Sequence, residues 1–409
     1  MEEYRTYTLE ELSIGKGSYG IAAAAVPFDA SLHTYLRITD INDDGTLNKW
    51  GLMSVDEDEA GKYLLKPNDI VFARTGNSTG RSYFYDGSDG ELVYAGFLIK
   101  FSLDSTKVNP RILKYYTHSK PYYDWVQSFG TGSTRGNINA KTYGNMPITL
   151  PPRDIQDKIV DVLKSLDDKI EVNKQINDNL EKQAQALFKS WFVDYEPFHN
   201  LPFIDSEQGR IPEGWCATVL EDLCSFISRG LTPKYDESSN ELILGQTCVR
   251  NNIVTIDNAR KHSPKQRTDK WVKRWDTLIN STGVGSLGRV GIVYFDMDNV
   301  AIDSHITVVR PKSALVRHYV GRNLLNRQLE IENMAIGSTG QTELPKDRVK
   351  SLPIILPDDN TLTRFNAIIE PIACLLYRNV EESRHITTLR DSLLPRLMSG
   401  ELKINDLMM

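Results

Sequence analysis

Several things are scarce in this 409-residue chain, and each scarcity excludes a class of protein. No run of apolar residues reaches the 18 or so needed to span a bilayer, and the opening "MEEYRTYTLEEL" is acidic where a secretory leader would be basic and then apolar. Both features point to a cytoplasmic protein without a membrane partner. The four cysteines, Cys216, Cys224, Cys248 and Cys374, form no CxxC pair. Reduced thiols are therefore expected, with no zinc or other metal centre. No HExxH, no GxxxxGK(S/T) phosphate loop and no (D/N)PP(Y/F) methyltransferase motif occurs, and the only adjacent prolines lie in "LPPRD". One literal GxGxxG is present, "GKGSYG" from Gly15, but it lacks the flanking strand and helix that dinucleotide binding requires, and Pro27 follows within two turns. It reads as a loop. The net charge of −6 does not advertise a nucleic-acid binder, although binding depends on local patches more than on total charge.

What the chain has in abundance is itself. "NMPITLPP" at 145–152 is echoed by "SLPIILPD" at 351–358, "GSTRGNINAK" from Gly132 by "GSTGQTELPK" from Gly337, and "NDIVFARTGNSTGR" (68–81) by "WDTLINSTGVGSLGR" (275–289). The starts match as well: "YTLEEL" at 7–12 parallels "TVLEDL" at 218–223. Four echoes in one order describe two copies of one unit.

Each copy continues into a long amphipathic segment. Ile159, Leu163, Leu166, Ile170, Leu180 and Leu187 follow a seven-residue pattern, and Phe365, Ile369, Ile372, Leu376, Ile386 and Leu393 repeat it. The shared spacing predicts two helices that pair with one another, each about 60 Å long. Pro371 lies inside the second, where a kink or a broken hydrogen bond is expected. The region between the first helix and the second copy, rich in Pro, Gly and polar residues, reads as a linker. Ahead of each helix, short β-branched and aromatic runs such as "DIVFAR" and "HITVVR" predict irregular domains with a large β component. Connectivity then predicts antiparallel helices carrying one domain at each end.

This order of parts, with "LFKSWFVDYEP" closing the first helix, "IPEGW" opening the second domain and "SLLPRLMSGEL" near the C-terminus, resembles the specificity subunit of type I restriction-modification systems over essentially the whole chain. The stretch "DDNTLTRFN" after Pro357 departs from the family pattern in lacking a Glu-Gln pair at the helix start. The resemblance implies an α+β chain with two pseudo-repeated α/β target-recognition domains (1–152 and 211–357), separated by two long antiparallel coiled-coil helices (153–196 and 358–399). A linker at 197–210 and a tail at 400–409 complete it. It further implies a non-catalytic subunit that binds double-stranded DNA. Two methyltransferase subunits using S-adenosylmethionine would be its partners, with restriction and translocase subunits using ATP and Mg where present. This chain would bind no cofactor itself. The expected target is bipartite and asymmetric, with half-sites about one DNA turn apart. A coiled-coil scaffold without DNA readout is the alternative from another class, and an enzyme with an unrecognised site is a third.

Candidate DNA contacts follow from chemistry: Lys and Arg neutralise phosphates, while Arg, Asn, Gln, Ser and Thr read base edges. In the first copy these are Arg74, Asn77, Arg81, Arg135, Asn137, Asn139 and Lys141; in the second, Lys265, Arg267, Lys270, Lys273, Arg289 and Gln341. "RKHSPKQRTDKWVKRW" (260–275) is equally compatible with a solvated basic face, and the glycine-rich "GTGSTRGNINAK" with a structural turn. On the helices, Asn173 and Asn177 interrupt the first apolar seam, and Asn379 and Ser383 the second. In an antiparallel pair facing residue numbers sum to a constant, and both Asn173 with Ser383 and Asn177 with Asn379 give 556. Two adjacent polar layers that fix the helix register are therefore expected.

Overall fold

The computed structural model describes residues 4–129, 137–263, 268–337 and 342–404, and mixes helices with short strands. It divides into two compact units, residues 1–170 with 385–409, and residues 171–384. Among the described residues no helix is long and apolar enough to cross a membrane.

The proline echo has a clear structural meaning within each unit. Strand Pro147–Leu150 pairs antiparallel with Arg5–Thr8, and Pro353–Leu356 pairs in the same way with Cys216–Val219. Each short strand thus joins the end of a domain to its beginning before the chain enters a long helix, Arg153–Phe192 or Asp359–Ser399. The next backbone bond is also shared: the Leu9 amide donates to the Met146 carbonyl, and that of Leu220 to Leu352.

The central sheets repeat strand for strand. In the first unit the order is Ser18–Tyr19, Leu98–Ser102, Asp69–Ala73 and Ser82–Tyr85; in the second it is Cys224–Arg229, Ile306–Pro311, Thr277–Asn280 and Val290–Ile292. The second sheet continues through Asn252–Val254 and Val249–Arg250 to six strands. Of the glycines in "GKGSYG", Gly20 has a counterpart in the second copy. A Cβ at Gly20 would lie 2.1 Å from the Tyr94 carbonyl oxygen, and one at Gly230 would lie 2.0 Å from that of Ile302. Close backbone approach, rather than phosphate binding, explains this glycine in both copies.

Both long helices are unbroken, of 40 and 41 residues. Pro371 costs the second helix one backbone hydrogen bond, as expected, without ending it. Pro371 and Ala367 lie on the exposed face, so the carbonyl that loses its amide partner can be met by water. Where the Glu-Gln pair is missing, Asp358 caps the helix: its carboxylate accepts from the Thr361 amide at 2.9 Å and from the Trp215 indole at 3.0 Å. At the start of the first helix Gln156 takes the Asn109 amide at 3.0 Å and donates to the Pro151 carbonyl at 2.9 Å.

Within the second unit the two helices face each other antiparallel, with Ala184, Phe188, Phe365, Ile369, Ala373 and Leu376 in one core. Within the first unit Ile155, Ile159 and Leu163 share a core with Leu394, Leu397 and Met398. The region that composition marks as a linker contains a hairpin, Phe203–Ser206 with Gly209–Pro212, beside an aromatic corner. Phe198 contacts Trp191 and Trp215, with ring centroids 5.9 and 5.1 Å apart, and Phe192 meets Phe365 edge-on at 4.8 Å. Aromatic packing therefore fixes the path between the first helix and the second domain.

Candidate nucleic-acid interface

In each unit the strand following the frame aspartate ends at a glycine-rich turn. Asp69 opens its strand and Asp276 immediately precedes its own, each carboxylate accepting at 2.8 Å the amide of the residue three before it, Lys66 or Lys273. The residues in between, Asn68 and Trp275, adopt positive φ of 75° and 74°. At the other end Gly76 and Gly283 hold φ of 75° and 98°, the left-handed geometry that a tight turn beside a binding surface needs.

Several sequence-predicted residues gather around the first of these turns. Arg74 lies with its guanidinium 5.0 Å from the Tyr19 ring centroid, and its Nε is buried with no acceptor among the described residues. Its carbonyl accepts the Ile138 amide at 3.0 Å, which brings the loop containing exposed Asn137 and Asn139 beside it. Asn139 also caps the short helix Ala140–Gly144 by accepting from the Thr142 amide at 2.9 Å, and Lys141 is exposed on that helix. Asn77 is exposed in the turn itself. Arg81 is already engaged, donating to the Ile41 carbonyl at 3.1 Å and pairing with Asp43 at 2.6 Å.

In the second unit Arg289 takes the position of Arg81, and its guanidinium closes the local turn by donating to the Gly285 carbonyl at 2.6 Å. Lys270 and Lys273 are not brought together into one patch. Lys270 donates to the Gly230 carbonyl at 2.9 Å, whereas Lys273 is exposed at the opposite end of the central strand, beside Asp276. Arg135, Lys265, Arg267 and Gln341 lie outside the described residues.

On the helices the structure brings Asn379 and Asn177 together: the Asn379 amide donates to the Asn177 side-chain oxygen at 2.8 Å. Asn173 donates to Glu382 at 2.9 Å and to the Ser383 hydroxyl at 3.3 Å. Sequence reasoning did not find the anchors that tie each domain to its helices. In the first unit Asp167 receives Lys114 at 2.8 Å, the Tyr115 hydroxyl at 3.0 Å and Arg390 at 2.9 Å. Burial alone would raise the Asp167 pKa, but these cations hold it below the usual carboxylate range. In the second unit the buried guanidinium of Arg322 donates to Glu181 at 2.6 Å and to the Tyr294 hydroxyl at 2.8 Å. Neither anchor had a readable signal, because a lone charge on a helix face usually means solvent. Among the described residues no group of three His, Cys, Asp or Glu side chains could hold a metal ion.

Comparison with known proteins gives this geometry a context. The family model of the type I restriction modification DNA specificity domain matches residues 33–182. The MjaIX type I restriction enzyme specificity subunit of Methanocaldococcus jannaschii is 28% identical over 309 residues, covering 72% of this chain and 69% of that protein. The HindI specificity subunit of Haemophilus influenzae is 24% identical over 414 residues, covering 83% and 88%. Among solved structures, the S subunit of a type I restriction-modification system from M. genitalium aligns with a TM-score of 0.55 at 14% identity, covering 97% of this chain and 96% of that one. At that identity the likeness speaks for the fold.

Proposed function

We propose, for a chain that belongs to the DNA specificity subunits of type I restriction-modification systems, that each repeated domain reads one half of a bipartite, asymmetric DNA target. The paired helices set the spacing and dock two methyltransferase subunits. Methyl transfer from S-adenosylmethionine and ATP-driven cleavage would belong to the partner subunits, and this chain supplies the address. The observation that supports the reading is one backbone scaffold built twice with different side chains at its turn end. Shared backbone implies a shared way of meeting DNA, and different side chains imply different bases.

The test is to sequence methylated adenines in a host given this chain and its methyltransferase partner. A bipartite, asymmetric motif is expected, and replacing residues 1–150 with the corresponding domain of a relative should change one half of it. Absence of any sequence-specific mark would remove DNA readout and leave a scaffold that binds protein alone.

A further inference from the structure

Internal symmetry locates the reading surface more narrowly than composition does, because four backbone hydrogen bonds around the turn recur in both units. The Arg74 amide donates to the Phe97 carbonyl at 3.1 Å, as Ser281 does to His305 at 2.9 Å. The Arg74 carbonyl accepts from Ile138 at 3.0 Å, and that of Ser281 from Leu344 at 2.8 Å. Gly20 donates to Leu98 at 3.3 Å and Gly230 to Ile306 at 3.1 Å. Gly96 donates to Ile21 at 2.8 Å and Ser304 to Leu231 at 2.7 Å. These bonds make Tyr19 equivalent to Arg229, Arg74 to Ser281, and Phe97 to His305.

The scaffold is constant at these three positions and the chemistry is not. In the first unit Tyr19 is 41% exposed and lies against a guanidinium whose Nε has no described acceptor, and Phe97, whose carbonyl holds the Arg74 amide, is 58% exposed. Phe28, Trp50, Tyr123 and Phe129 are exposed in the same domain, so what singles out Tyr19 and Phe97 is their place at the shared turn beside Arg74. In the second unit Ser281 is withdrawn and bonded to Thr307 at 2.6 Å, while exposed His305 holds Thr282 at 2.9 Å through Nδ1. Arg229 is locked by Glu343 at 2.7 Å and by the Leu344 and Ser304 carbonyls at 2.7 and 3.2 Å. That lock presets the cation before any ligand arrives.

We infer that specificity is set at these positions: Tyr19, Arg74 and Phe97 for one half-site, and for the other Arg229 and His305 with Thr282, the neighbour of withdrawn Ser281. The inference rests on the DNA-reading function proposed above. The first set offers a guanidinium against one ring and a second exposed ring, suited to a purine edge and a thymine methyl; the second offers a cation, a hydroxyl and an imidazole.

The test uses the full chain assembled with its methyltransferase partner and duplexes altered at single positions of either half-site. Phe97→Ala and Arg74→Lys should each lower discrimination at the same half-site, roughly five- to a hundred-fold in the ratio of methylation rates on cognate and altered DNA. The other half-site should be untouched, and His305→Ala should show the converse. Phe97 and His305 are exposed, so their variants should melt as the parent does, and Phe97→Leu retains apolar bulk should the alanine variant misfold. Arg74→Lys keeps its charge, so a mere phosphate contact would leave both discrimination and the salt dependence of binding essentially intact. Unchanged discrimination, or equal loss at both half-sites, overturns the inference while the wild-type motif stands. A wild type without sequence preference overturns the proposed function itself.

Discussion

The two domains place the same aspartate at the same turn and neutralise it differently. Asp69 receives the Ser102 hydroxyl at 2.5 Å and has Lys100 at 3.4 Å, whereas Asp276 is gripped by Arg310 through two bonds of 2.8 and 2.7 Å. Ser102 and Arg310 occupy equivalent places on the neighbouring strand, as the cross-strand register fixes. The fold needs a carboxylate there because the turn leaves a backbone amide to be met. How the resulting buried charge is balanced is free to diverge, provided that something balances it.

That difference can be broken most forcefully at Arg310. Replacing it with Met leaves Asp276 buried without its counter-ion, and loss of one partner of such a pair costs about 3–5 kcal/mol. Ser102→Ala removes one hydrogen bond from Asp69 and should cost only about 1 kcal/mol. Denaturant unfolding of the two variants measures the contrast. Similar losses would show that the two carboxylates are equivalently supported and that the asymmetry has no energetic content.

A second contrast appears on acidification. His318 packs against Trp275 with ring centroids 4.8 Å apart, and its Nε2 lies 2.5 Å from Glu370, which also pairs with Arg317. Arg322, one turn further along the helix, adds a second cation to its surroundings. Burial pushes the His318 pKa down to about 4, against the opposing pull of Glu370. The unfolded chain therefore takes up a proton at this side chain near pH 6.5, while the folded chain waits until about pH 4. Stability is complete above pH 6.5 and falls by about 3 kcal/mol on the way to pH 4. His318→Gln should flatten that slope in urea titrations at several pH values, and an unaltered slope would remove His318 as its source.

The first unit responds in a lower window. The folded pKa of Asp167 lies below its unfolded value, so its contribution is present above about pH 4 and is lost as pH falls through the folded value. Asp167→Asn weakens three charge-assisted or hydroxyl contacts and should cost about 1–2 kcal/mol at neutral pH. The difference from wild type should close in strong acid. A gap that persists at pH 2 would assign the loss to packing.

What could be read in the sequence divides along a physical line. The repeat and both long helices were legible because periodicity and proline spacing are properties of a one-dimensional string. Tyr19, Phe97 and His305 were not, because nothing local separates an exposed aromatic residue at a strand end from one in a core. Only the hydrogen bonds made by Gly20, Gly230, Arg74 and Ser281 reveal which residues share a place. Arg310 and Arg322 resembled ordinary surface cations for the same reason: their partners lie 34 and 141 residues away. Pro371 was legible as the loss of one helical hydrogen bond, and the solvent-facing side on which it falls, where water can meet the freed carbonyl, was not.

The smallest expected energetic effect bears on the helix pair, where the two units again differ. The first unit joins its helix segments through the Asp167–Arg390 ion pair, and the second through the neutral Asn177–Asn379 bond. An amide pair inside an apolar seam adds little net stability, about 1 kcal/mol, but a slipped register would strand each amide against an apolar residue. Replacing both asparagines with leucine should therefore change stability by no more than about 1 kcal/mol in either direction, while removing the penalty on slippage. Register is read separately: with cysteines at 177 and 379, mild oxidation should form a disulfide readily, and with cysteines at 173 and 379 it should do so poorly. With the probes moved to facing cysteines at 180 and 376 or shifted ones at 180 and 372, replacing Asn173, Asn177 and Asn379 with leucine should narrow the selectivity between facing and shifted pairs. If selectivity is fully retained there, apolar packing around Phe188, Phe365 and Ile369 sets the register, and the asparagines are passengers in it.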